Sequence, residues 1–274
     1  MASSFKAVTP AQEGRTLTHT ILWLLLAAMM FGCSSVPITF TPSRPISPGE
    51  FSHRLFDEVL EAHVHDGRVN YPAIKTDGRL KEYLDLLDRI DPNVLSTNEQ
   101  LALWINAYNA YTIKGILDGY SPGTLVGRYQ FFINRTYRIG GETVNLYDLE
   151  RKILIAQFHE PRIHFAIVCA SLSCPKLQPW AYEGAQLDRQ LDRVAIEFIN
   201  DPTKNQFNRV TMVAYFSSIF DWFREDFEAQ AGGLPVYAAR YVQDPDLAHE
   251  LKTTPYRVEF LDYDWSLNGS PLQR

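Results

Sequence analysis

PRIHFAIVCASLSCP, residues 161–175, is the stretch on which the fold turns. Residues 163–168, IHFAIV, are an unbroken apolar run with no helical period. A short apolar run closed by polar turn residues predicts a buried strand. The polar ASLSCP that follows predicts a turn. Just upstream, Tyr137-Arg138-Ile139 and Thr143-Val144-Asn145 flank Gly140-Gly141, which predicts a hairpin. Residues 146–158 return to helical spacing through Leu149, Ile153 and Leu154. This middle part of the chain therefore alternates short strands with a helix.

Further toward the N-terminus the pattern is helical. Leu55, Phe56, Val59, Leu60 and His63 recur at helical spacing, and so do Leu80, Tyr83, Leu84, Leu87 and Ile90. Ser96 and Glu99 stand at capping-box distance before a third helix, LALWINAYNAYTIKGILDGY, which Gly119 and Pro122 end. Toward the C-terminus, residues 185–200 predict an amphipathic helix and residues 210–213 a strand. Residues 217–227 predict an aromatic helix and residues 258–261 an edge strand. The sum is an α+β fold, with N-terminal helices packed on a small mixed or antiparallel sheet, in one domain spanning 51–274.

Residues 1–50 read differently. ILWLLLAAMMF, residues 21–31, is shorter than the ~20 residues that span a bilayer. Lys6 and Arg15 precede it and Gly32-Cys33 follows. That form predicts a lipoprotein signal peptide over residues 1–32, with Cys33 as the lipidated first residue. The alternatives are a cleaved signal on a protein secreted to the periplasm, or an uncleaved anchor. Residues 33–50, with four prolines in VPITFTPSRPISPGE, predict a tether. The expected location is the periplasmic face of the outer membrane, an oxidising compartment. The membrane partner is reached through the lipid.

Composition narrows the function. Among 274 residues, acidic side chains outnumber basic ones, 32 to 26, and no basic cluster stands out. A nucleic-acid partner lacks its electrostatic footprint. No phosphate-binding loop, dinucleotide fingerprint, serine-hydrolase elbow, zincin motif or haem motif occurs, so no cofactor and no metal is expected. Asp262, Asp264 and Asn268 lack calcium-loop spacing and read as a packed C-terminal strand and turn. Phe216, Phe220, Trp222, Phe223 and Phe227 read as core.

Several stretches taken together resemble one family. They are the helix containing WINAYN, the glycine hairpin followed by NLYDLE, PRIHFAIVCASLSCPKL, FSSIFDWFREDF and LDYDWSLN. In this order, over roughly residues 51–268, they resemble the uncharacterised family known as domain of unknown function 547. The resemblance points to residues and implies no activity.

The candidate site centres on His164, Cys169, Ser171 and Cys174. A thiol becomes a nucleophile when a base or cation stabilises its thiolate. In a thiol-dependent hydrolase or acyl transferase, Cys169 is the nucleophile, His164 its base and Glu150 the carboxylate that orients the histidine. Arg162 or the backbone around Ser171 then stabilises the anion. On a straight strand His164 and Cys169 point to opposite faces, so their pairing needs a turn before Cys169. Three other readings stay open: a Cys169–Cys174 disulfide, two inert core thiols, or metal ligation with His164. Asn106 and Asn109, three apart on the third helix, either line the site or bind backbone inside the core. The rival to an enzyme is a binding or scaffold domain, stapled by the disulfide, that holds a small molecule or peptide.

Overall fold

The computed structural model describes residues 39–272. The expected signal peptide at 1–32, Cys33 and the start of the tether lie outside the described residues.

The fold is built around the helix Thr97–Leu117. Ser96 and Glu99 cap it reciprocally: the Ser96 backbone N–H donates to Glu99 Oε2 at 2.8 Å, and the Glu99 N–H to Ser96 Oγ at 3.5 Å. From Leu101 to Ile113 every residue is buried. A helix that is apolar all round belongs inside, with other elements on every side. Helices Arg54–His63 and Gly78–Arg89 precede it, and Leu187–Asn200 follows. Each of these buries a single apolar stripe.

Among the described residues the β structure is divided among three small sheets. The hairpin Tyr137–Ile139/Glu142–Val144 forms as expected, with Gly140 and Gly141 at φ 58° and 82°. Two consecutive left-handed positions are what a tight hairpin turn demands and glycine supplies. A mixed sheet joins Gln206–Asn208, Val213–Ser217 and Arg257–Leu261, the last running parallel along one edge. The third sheet pairs Val64–His65 with Arg68–Asn70, which in turn runs parallel to Gly269–Ser270. There Tyr71 donates its hydroxyl to Asn268 Oδ1 at 2.7 Å.

Three expectations are corrected. The strand at 163–168 is absent, and a 3₁₀ turn, Pro161–Phe165, takes its place. Pro161 sets the helical φ, and Glu160 caps the turn by accepting from the Arg162 N–H at 3.0 Å. An apolar run without period marks burial and leaves the backbone shape open. The strand at 210–213 lies later, at Val213–Ser217. Val210 is 93% exposed in the preceding turn, where Asn208 Oδ1 accepts the N–H groups of Val210 and Thr211. Residues 39–50, expected to belong to a tether, pack on the domain instead: Phe40 is buried on Trp104 with ring centroids 5.0 Å apart, and Ile46 is buried beside Ile90. Residues from Thr39 onward thus fall in one compact unit.

Candidate functional site

The turn after residue 168 is fixed by chemistry within it. Cys169 and Cys174 are bonded as a disulfide, with Cα atoms 6.2 Å apart. Ala170 between them holds φ 61°, a left-handed conformation that costs a β-carbon about 1 kcal/mol or more. The surrounding structure holds it there. The Asn268 N–H donates to Ala170 O at 3.1 Å, Leu172 N–H to Ser266 O at 2.8 Å, and Asp264 N–H to Ser173 Oγ at 2.8 Å. The Tyr263 hydroxyl sits among the sulfurs, 3.0 Å from Cys169 Sγ and 3.2 Å from Cys174 Sγ, and receives the Ser171 hydroxyl at 3.0 Å.

This turn forms one wall of a cavity of about 370 Å³. Cys169, Cys174, His164 and Glu150 all border it, so four of the expected site residues do converge. Its other walls are aromatic: Tyr108 from the central helix, Phe132, Trp222, Phe223, Tyr263 and Trp265. Trp222, Tyr263 and Trp265 pack on one another, with centroids 4.6–5.9 Å apart. Around the mouth, Leu125, Tyr129, Ile133, Tyr147 and Trp222 stay exposed, Leu125 at 77% and Trp222 at 44%.

Two helical segments widen into π-turns, Tyr129–Asn134 and Leu149–Ile155. Both border the cavity, the first through Phe132 and Ile133 and the second through Glu150 and Arg151. Widened turns of this kind re-aim side chains and recur at functional sites.

His164 is 2% exposed and stacks on Phe223 with centroids 3.9 Å apart. Its Nε2 lies 2.8 Å from Asp226 Oδ2. Burial pulls the imidazole below its ordinary pKa, Asp226 pulls it back up, and the nearby Arg151 charge lowers it further. With a neutral ring donating Nε2–H to the carboxylate, Nδ1 keeps a lone pair, and no described residue fills it. Glu150 does not orient this histidine. Its Oε2 accepts the Tyr108 hydroxyl at 3.1 Å, and burial raises its carboxyl pKa despite the opposing pull of Arg151 and Tyr108. The orienting carboxylate is Asp226.

Four expected site residues stand elsewhere. Asn106 grips the backbone of Tyr182, donating to its carbonyl at 2.8 Å and accepting its N–H at 2.9 Å. Asn109 donates to Ala166 O at 3.0 Å and accepts Val168 N–H at 2.9 Å. Both amides bond backbone through nitrogen and oxygen alike inside the core and act as backbone clamps. Arg162 is held by Glu160, Asp188 and Asp192 at 2.6–2.9 Å, so its guanidinium is committed to carboxylates. Ser171 is buried, does not border the cavity, and donates its hydroxyl to Tyr263, which does.

Sequence reasoning missed Asp226, Arg128, Arg151, Tyr263 and Trp265. The signal for Asp226, Tyr263 and Trp265 was present in FSSIFDWFREDF and LDYDWSLN. Of the aromatic residues read as core, Phe216, Phe220 and Phe227 are core, whereas Trp222 and Phe223 border the cavity.

Among the described residues, no three His, Cys, Asp or Glu side chains converge on a metal position, and no helix is long and apolar enough to cross a membrane. No curated protein and no solved structure matches the chain. The model of one family does match, over residues 92–199 only, a shorter span than the resemblance at 51–268. Across those residues the chain is similar to the family described as "Protein of unknown function, DUF547".

Proposed function

We propose that this domain is a binding module that holds one small, largely apolar ligand in the aromatic cavity. One observation carries the reading: a cavity of about 370 Å³ is walled by aromatic rings and rimmed by exposed Leu125, Tyr129, Ile133, Tyr147 and Trp222. Ligand sites are concave, mostly apolar and furnished with a few polar groups, here Glu150, Arg128, Arg151 and His164. Contiguous exposed apolar side chains around such a mouth mark an interaction site. The disulfide gives the wall a fixed shape and withdraws both sulfurs from nucleophilic chemistry in the oxidised state.

Titration with N-phenylnaphthylamine, a neutral fluorescent probe, tests the reading. Saturable enhancement is expected, weakened at least ~10-fold in Trp265→Ala, a loss of about 1.4 kcal/mol. No saturable signal from the folded protein rejects the proposal.

Thiol-dependent acyl transfer is the second reading, favoured because Cys169 and His164 border the same space. It applies to the reduced protein. Ester hydrolysis that appears with reductant and vanishes in Cys169→Ser would support it. Silence of the reduced protein toward a range of aryl esters removes it.

The setting proposed for the module is the cell envelope, through lipidation at Cys33 of the run ILWLLLAAMMFGC. Incorporation of labelled palmitate that is lost in Cys33→Ser is the expected result. Equal labelling of both, or of neither, rules the anchor out.

A further inference from the structure

Among the residues lining the cavity, arginines outnumber carboxylates, in a chain whose formal net charge is −6; Asp226 stands behind His164, its carboxylate bonded to that ring. Arg128 and Arg151 both border it, and Glu150 is the only carboxylate among its lining residues. Each guanidinium is positioned by an aromatic face. Arg128 Cζ sits 4.5 Å from the Trp265 ring centroid, and Arg151 Cζ 4.5 Å from that of Phe223. Stacking holds a guanidinium by its plane and leaves its N–H edge open for hydrogen bonds.

Neither side chain forms an ion pair or a hydrogen bond with any described residue. The contrast with Arg162, gripped by three carboxylates, and with Arg209, gripped by Asp244 and Glu250, is direct. Glu150 is turned to the Tyr108 hydroxyl. The two cations, Arg128 half-buried and Arg151 exposed, therefore border a largely apolar space with their donors unspent. A guanidinium edge matches the two oxygens of a carboxylate or phosphate.

We infer that the ligand is an amphipathic anion, an alkyl or aryl chain ending in a carboxylate or phosphate. The chain lies among Phe132, Trp222 and Ile133, and the head group meets Arg128 and Arg151. The inference rests on the cavity being a ligand site, as proposed above, and adds the sign of the charge.

The experiment uses the full-length protein and displaces N-phenylnaphthylamine with four ligands sharing one alkyl chain: dodecanoate, dodecyl phosphate, dodecanol and dodecyltrimethylammonium. At least one anion is expected to bind ~10-fold or more tighter than dodecanol, a difference of about 1.4 kcal/mol. Whichever anion binds more tightly names the head group. Added salt is expected to weaken the anion and leave dodecanol unchanged. Arg128→Gln and Arg151→Gln are expected each to weaken the anion severalfold more than they weaken dodecanol or the probe.

If the probe binds but dodecanol equals both anions, or the ammonium binds tightest, the charge inference falls and the cavity reading stands. If either Gln variant weakens dodecanol as much as the anion, the arginines only shape the wall, and the inference falls again. If neither the probe nor any alkyl ligand binds the folded protein, the cavity reading fails and takes this inference with it.

Discussion

His164 Nε2 lies 2.8 Å from Asp226 Oδ2, joining a buried imidazole to a carboxylate 62 positions away in the chain. This bond ties the turn Pro161–Phe165, which borders the cavity through His164, to the helix Arg224–Ala231. Replacing Asp226 with Ala leaves both ring nitrogens of a buried histidine without a protein partner. A loss of about 1–3 kcal/mol is expected. Urea unfolding measures it, and an unchanged midpoint would show that the pair contributes nothing to stability.

Acid sensitivity follows from two buried histidines. Burial lowers the His53 pKa from 6.5 to about 4, and burial also lowers that of His164. The unfolded chain takes up protons near pH 6.5 that the folded chain refuses, so stability falls as pH drops below 6.5 and keeps falling until the folded groups titrate. At pH 5 the His53 share is ~2 kcal/mol, at 1.36 kcal/mol per pH unit. Thermal melts of wild type and His53→Gln at pH 7 and pH 5 check this. A wild-type decrease no greater than that of the variant would remove His53 from the account.

The two asparagine clamps give a sharper prediction. Asn109→Ala strips a donor from Ala166 O and an acceptor from Val168 N–H, both in the core, and opens a small void. A cost of about 2–4 kcal/mol is expected, with Asn106→Ala similar through Tyr182. Denaturation midpoints decide. A loss below ~0.5 kcal/mol would mean that water replaces the amide and that Asn109 lines an accessible site after all.

The disulfide predicts its own labelling pattern. In unreduced protein neither Cys169 nor Cys174 is expected to react with iodoacetamide, and both react after reduction and unfolding. Peptide mapping separates them from Cys33. Closing so short a loop contributes about 2 kcal/mol on the chain-entropy model, so Cys169→Ser/Cys174→Ser is expected to lose about that much. A reactive thiol in the native, unreduced chain would contradict the pairing.

What the sequence made legible was local. Ser96 and Glu99 cap a helix across one turn, and Gly140-Gly141 satisfies a hairpin by backbone freedom alone. Neither needs a distant partner. The run 163–168 misled because its shape is set from outside: Asn109 reaches across 57–59 positions to hold Ala166 and Val168. The same limit hid the carboxylate of His164. Glu150, on the preceding helical segment, was the expected orienter, yet the chain brings Asp226 instead. Arg162 attracted attention by its place beside the histidine, but three carboxylates spend its charge. Arg128 and Arg151 gave no sign, since nothing in the linear order tells which guanidinium ends over a ring.

The parallel pairing of Val69 with Gly269 joins two stretches that lie near opposite ends of the described chain. Between Arg257–Leu261 and that seam the polypeptide is spanned like a strap, and the strap carries Tyr263 and Trp265 across the cavity. Gly269 permits the fastening because a β-carbon there would collide with the Val69 carbonyl. A single methyl at position 269 would therefore loosen a wall formed by other residues. A protein cut down to residues 92–199 would keep His164, Cys169 and Cys174 but lose the strap, Trp222 and Asp226. It would hold a floor without a chamber.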